Sequence, residues 1–120
     1  MKQKHAFVVY SGAGDTGKAF HALIHAKQAH RRGDEVELYF AGEGTVWPEK
    51  LADAGHPMHG LFMEVRDAGA IAGACRNCAV AFGHEPGAQA ACGLVQGPEQ
   101  SFGQIDILGK SDAGFRVWLF

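Results

Sequence analysis

The sequence predicts an α/β protein with a mainly parallel sheet and helices on both faces. Three observations carry this prediction. A run apolar on both faces opens the chain at residues 5–10 and stops at Ser11-Gly12, as suits a strand buried inside a parallel sheet. Later stretches place apolar residues three and four apart, the period of a helix with one buried face. Strand-like and helix-like stretches then alternate along the chain, the pattern of a sheet joined by crossover helices. At 120 residues the chain is long enough for one domain and one core. Residues 1–120 therefore read as a single domain, without an internal repeat.

The elements follow in order. Strand 5–10 leads into the glycine-rich turn Gly12-Ala13-Gly14-Asp15-Thr16-Gly17. Ala19, Phe20, Leu23, Ile24 and Lys27 mark a helical stripe over 18–31. Arg31-Arg32 suit its C-terminus, and Gly33 stops it. Residues 35–40 form the second strand. Residues 41–57 read as a loop holding one helical turn at 48–54, with Pro48 suited to a first helical position. Leu61, Phe62, Val65 and Ala68 give a second stripe, ended by Gly69. Residues 70–74 are a third strand, followed directly by Cys75-Arg76-Asn77-Cys78 and a short helix over 79–82. Residues 83–87 are a break and 94–95 a weak fourth strand. Residues 99–112 form a third amphipathic segment with Phe102, Ile105, Ile107 and Leu108 apolar. Residues 115–120 are the last strand, in which Trp118 is expected in the core.

Composition excludes several classes. Hydrophobic residues make up 47% and charged residues 20%, which excludes disorder over most of the chain. A net charge of −2 gives no bulk basic field, so no direct nucleic-acid partner is expected. The basic start Met1-Lys2-Gln3-Lys4 precedes only a short apolar run, Ala6–Tyr10. A secretory signal needs about 7–15 apolar residues and a membrane helix about 20. A soluble, cytoplasmic protein with no membrane partner is expected, its three cysteines mostly reduced.

Gly12-x-Gly14-x-x-Gly17 sits where a dinucleotide or phosphate loop would sit, between a strand and a helix. The phosphate pattern needs Ser or Thr after Lys18, and the chain has Ala19. Two readings stay open. The glycines shape a plain strand-to-helix turn capped by Asp15 or Thr16, or Gly12, Gly14, Asp15, Thr16 and Gly17 form an anion site at the helix start.

Cys75-x-x-Cys78 is the most chemically loaded pair. Backbone N–H groups and the dipole at a helix start favour thiolate, and Arg76 adds positive charge. Such a thiol can fall a unit or more below its usual pKa of about 8.5. Sulfur transfer or redox chemistry, a buried structural pair, and a zinc site all use this spacing. Zinc lacks a second pair and would need Cys92 or a histidine to complete four ligands. No metal is assigned. His21 and His25 share one helix face without the acid a zinc protease needs. Glu43, Trp47, His59 and His84 fall in loops that could line a pocket. Trp47 could equally sit at a subunit contact.

Taken together, these residues resemble the DsrE/DsrF-like family, small proteins of sulfur relay in tRNA thiolation and sulfur oxidation. The likeness runs over nearly the whole chain. It rests on the opening strand Phe7–Tyr10, the helix end Arg32-Gly33-Asp34-Glu35-Val36, and Phe40-Ala41-Gly42-Glu43-Gly44. Asp67-Ala68-Gly69, Ala74-Cys75-Arg76-Asn77-Cys78, Gly83 eight residues after Cys75, and Phe102-Gly103-Gln104 complete it. The resemblance implies a three-layer α/β/α sandwich on a five-stranded, largely parallel sheet. It implies a sulfur-carrier or sulfurtransferase-like role, with Cys75 matching the cysteine that becomes persulfidated. Cys78 is extra relative to many relay subunits and would resolve the persulfide or tune its neighbour. Trimers or hexamers, related chains, and sulfur donor or acceptor proteins are the implied partners, and no cofactor is implied. The alternatives are a small-molecule or anion-binding module without chemistry, and a non-catalytic subunit of a larger complex with Trp47 and Phe62 at subunit contacts.

Overall fold

The computed structural model describes residues 2–120; Met1 lies outside them. One sheet of five strands is parallel throughout, in the order β4-β3-β2-β1-β5. The strands are β1 (Lys4–Val9), β2 (Glu35–Phe40), β3 (Ile71–Cys75), β4 (Leu94–Val95) and β5 (Arg116–Leu119). Helix α1 (Thr16–Arg31) joins β1 to β2, and α2 (Trp47–Ala52) and α3 (His59–Asp67) join β2 to β3. Helices α4 (Arg76–Phe82) and α5 (Glu85–Ala91) precede β4, and α6 (Ile107–Asp112) precedes β5. The chain steps outward from β1 to β4, then crosses back to lay β5 on the far side of β1.

Strand alternation divides the core in two, giving the expected three layers. Phe7 and Val9 of β1 and Val36, Leu38 and Phe40 of β2 face α1, α2 and α3 in the larger cluster. Val8, Tyr39 and Ala41 face the other way and meet Cys75 and Ile105 in a smaller one. On that second face the cover is the return segment and the six-residue α6. The carboxyl ends of β1, β2 and β3 bring the glycine turn, the 3₁₀ turn Gly42–Val46 and Cys75 to one edge of the sheet, where open parallel sheets hold their sites.

Several expectations are corrected. The buried side of α1 is Ala19, Ala22, Leu23, Ala26 and Ala29; these small residues seat the helix close to the sheet and push Phe20 to the flank, 41% exposed. The break expected over 83–87 is short: α5 begins at Glu85, and its alanines Ala88 and Ala91 pack into the larger core. The amphipathic segment expected over 99–112 is divided: a 3₁₀ turn at Glu99–Ser101, a left-handed Phe102 and Gly103, then α6. Trp118, expected in the core, lies on edge strand β5 and is 44% exposed. Trp47 and Phe62, expected at subunit contacts, are 2% and 0% exposed. No helix among the described residues is long and apolar enough to cross a membrane.

Candidate functional site

Which face Cys75 joins is decided by an irregularity in β3. Leu38 pairs with Ile71 but Tyr39 pairs with Gly73, so Ala72 is an extra residue. A bulge of this kind shifts the side-chain alternation by one. Ile71 packs on the larger core, yet Cys75, four residues on, lies in the smaller one. Cys75 ends β3 in extended conformation and stands at the cap position of α4. Cys78 lies in the first turn of that helix.

The two thiols share one acceptor. Cys75 Sγ donates to Gln104 Oε1 at 3.2 Å, and Cys78 Sγ donates to the same oxygen at 2.8 Å. Gln104 arrives from the return segment, in a tight turn closed by Gly97 N–H to Gly103 O at 3.0 Å and Ser101 Oγ to Gln104 O at 2.8 Å. Asn77 Nδ2 ties that turn to α4 by donating to Phe102 O at 3.3 Å. Phe102 is the turn's tip. It is 88% exposed and left-handed, with φ of 57°, a conformation costly for a bulky side chain. Tyr10 lies close enough for both thiols to act on it. Burial foremost, and then the negative charge Cys78 and Cys75 would carry, hold its phenol above the ordinary range.

Burial overturns the expected activation of Cys78. Its thiol is pushed up to about 11, first by burial and then by the Cys75 thiol, while the Gly42 N–H works the other way. The Cys78 thiol is therefore held protonated at neutral pH. Access separates the two thiols. Cys75, the expected acceptor, is 0% exposed, and Cys78 is the half-buried thiol of the two. Cys92 stands apart against the larger core, its thiol raised to about 12 mainly by burial. Among the described residues no group of three or more His, Cys, Asp or Glu side chains is placed to hold a metal.

The other predicted site residues divide. Gly12, Gly14, Asp15, Glu43 and His84 line one open cavity of about 530 Å³ with Lys18. Thr16 and Gly17 have already turned into α1 and do not line it. Asp15 caps α1, its carboxylate accepting the Lys18 N–H at 3.3 Å and meeting the Lys18 ammonium at 3.4 Å. That carboxylate fills the place an anion would take at the helix start. Ser11 Oγ, buried at the edge of this cavity, has no partner among the described residues. Trp47 does not line this cavity: its side chain is buried, and its indole N–H donates to Ser11 O at 2.8 Å, pinning α2 to the end of β1. His59 sits at the start of α3, bonded to Leu51 O at 2.8 Å, and lines neither the cavity nor the thiol pair. His21 and His25 stack on the outside of α1 with ring centres 6.0 Å apart.

Tyr10 and Asn77 were not singled out from sequence. Gln104 enters the sequence reading only as part of a family-like motif, and Phe102 there and as an apolar position of the 99–112 segment, because nothing local links residue 104 to residue 75.

The model of the DsrE/DsrF-like family matches residues 3–105, which include both cysteines, the glycine turn and Gln104. An uncharacterized protein of Methanocaldococcus jannaschii, MJ0733, is 27% identical over 97 residues, covering 81% of this chain and 75% of its own. No solved structure matches. The family match implies a sulfur-relay-like role in general terms. It spans β1 through Ile105, the same stretch that builds the thiol pair and its cover, and the chain belongs to the DsrE/DsrF-like family.

Proposed function

We propose that the protein carries sulfane sulfur on the Cys75–Cys78 pair. The observation behind this reading is the shared acceptor: two free thiols, from a strand end and a helix start, meet one amide oxygen. Cys78 is the receiving group because it is the less buried of the two. In the transfer, Cys78 loses its proton and attacks the outer sulfur of a donor persulfide. A new S–S bond forms on Cys78 and the donor's S–S bond breaks. The donor leaves as a thiolate, and Cys78 holds the persulfide. Cys75 thiolate can then attack the Cys78 sulfur, forming a Cys75–Cys78 disulfide and expelling hydrosulfide. The reduced sulfane sulfur balances the two oxidised thiols. With Cys78 neutral at rest, the reaction needs a donor or partner that opens the segment carrying Gln104.

Mass spectrometry after incubation with a cysteine desulfurase and cysteine tests this. A gain of one sulfur atom is expected on wild type and lost in Cys78→Ser. Cys75→Ser should retain the persulfide longer, because nothing resolves it. Absence of any sulfur adduct on both cysteines defeats the proposal.

A second reading is a binding module using the glycine-turn cavity, favoured by the unpartnered Ser11 hydroxyl. A nucleotide or phosphate that raises the melting temperature equally in wild type and Cys75→Ala supports it. We also propose a homo-oligomer, trimer or hexamer, or assembly with related chains. Phe102, Leu108 and Leu119 are 88%, 74% and 55% exposed, apolar surface that a neighbour would cover. Light scattering that reports a monomer excludes the homo-oligomer.

A further inference from the structure

A cavity of about 400 Å³ opens between α1 and β5, remote from the thiols. Its origin is topological. Helix α1 runs over β1 and β2, while β5 lies beyond β1 at the sheet edge. Phe7 pairs with Trp118 across the two strands, and their rings stack with centres 6.5 Å apart and planes 18° apart. Phe120 continues the floor 6.2 Å from Phe7, and His25 of α1 stacks on Phe120 at 6.3 Å. The result is an open wall of aromatic faces.

The Trp118 ring is locked from behind. Its indole N–H donates to His5 Nδ1 at 3.1 Å. An indole nitrogen only donates, so His5 Nδ1 accepts and its Nε2–H faces Asp34 Oδ2 at 3.0 Å. His5 and Asp34 are each 6% exposed. Asp34 also takes the Gln3 N–H at 3.1 Å and lies 3.4 Å from Arg32. The indole has no polar atom left to offer, and presents its π face in one fixed orientation.

The rim carries one guanidinium. Gln28 of α1 and Arg32, just past its end, line the opening, and no Asp or Glu residue does. The Arg32 side chain is 56% exposed and meets Asp34 through Nη2. A guanidinium fork matches a carboxylate in two parallel hydrogen bonds. The volume lies in the range of small-ligand pockets, about 300–1,000 Å³. We propose that this cavity binds a planar aromatic or heteroaromatic carboxylate of one or two fused rings. The ring lies on Trp118 and Phe120, and the carboxylate pairs with Arg32. Pre-ordered walls of this kind reduce the ordering cost of binding.

The two tryptophans make the test selective. In a ¹H–¹⁵N spectrum of the full chain, Trp47 and Trp118 give two indole N–H signals. Titration with indole-3-carboxylate should move the Trp118 signal saturably, with half-saturation below about 1 mM. The Trp47 signal, buried and bonded to Ser11 O, should stay. Arg32→Gln should weaken indole-3-carboxylate about tenfold, the scale of one charge-assisted hydrogen bond, and leave neutral indole unchanged. The substitution is at a surface position, and an unaltered melting temperature checks the fold. No saturable Trp118 shift, or equal movement of both indoles, overturns the site. Equal affinities of wild type and Arg32→Gln for the carboxylate overturn the assigned ligand class.

Discussion

Phe102→Gly tests whether the return segment is what seals Cys75. Phe102 holds φ of 57°, and a left-handed conformation costs an ordinary residue about 1–2 kcal/mol. Glycine adopts it freely but loses about 0.5–1 kcal/mol more backbone entropy on ordering. With the side chain 88% exposed, little burial is lost. The net effect is about 1 kcal/mol in favour of the closed turn. Cys75 is 0% exposed and reacts only when its cover lifts, so its alkylation rate follows the open population. One kcal/mol then corresponds to about fivefold slower modification. The assay is timed iodoacetamide labelling, read at Cys75 by peptide mass spectrometry. Gly103→Ala should act oppositely. Gly103 has φ of 76°, and a Cβ there would run into Asn77 Nδ2, so the turn opens and Cys75 reacts faster. If Phe102→Gly leaves Cys75 labelling unchanged or faster, the strained turn is not the cover and the gating argument fails.

Four further outcomes follow from the same geometry. Labelling of Cys78 should rise about tenfold per pH unit from 7 to 10 and level off only near 11, where its thiol titrates; a plateau near pH 8 would mean the pair is activated at rest. Because folding raises that value from about 9 to about 11, the folded state holds the proton more tightly. The contribution of this thiol to stability should therefore be level below about pH 9 and decline as pH rises toward 11; Cys78→Ser should lessen the decline seen in urea melts, and Cys92, raised to about 12, should carry the rest. Trp47→Phe removes the indole bond to Ser11 O and should cost about 1–2 kcal/mol in urea unfolding without changing Cys78 labelling. Gly44→Ala should cost at least about 2 kcal/mol, because the added Cβ would strike the Val9 carbonyl; an unchanged midpoint would show that the turn can shift.

Much of the fold is legible locally. The apolar run Ala6–Val9 and the stripe through Leu23 report burial by period alone, and β2 and β4 fall at the residues expected. The misses share a cause. Phe20 and Leu23 are equally apolar, but only Leu23 points at the sheet, since the helix is set by how closely its alanines approach. Trp118 carries the sequence marks of core, yet its strand is the last added at an open edge. Trp47 carries the marks of a loop residue, yet its ring fills the space between α2 and the end of β1.

The candidate site follows the same division. Chain order by itself determined that a cysteine pair follows the third strand, and that glycine turns end the first and second. Those are statements about sequence neighbours, and period and turn chemistry reach that far. Tertiary structure alone decided the rest. One extra residue at Ala72 turns Cys75 toward the thinly covered face. A glutamine 29 positions away then reaches both thiols. Burial and a shared acceptor depend on which segment crosses which face, a property of the assembled sheet that no local stretch of residues encodes.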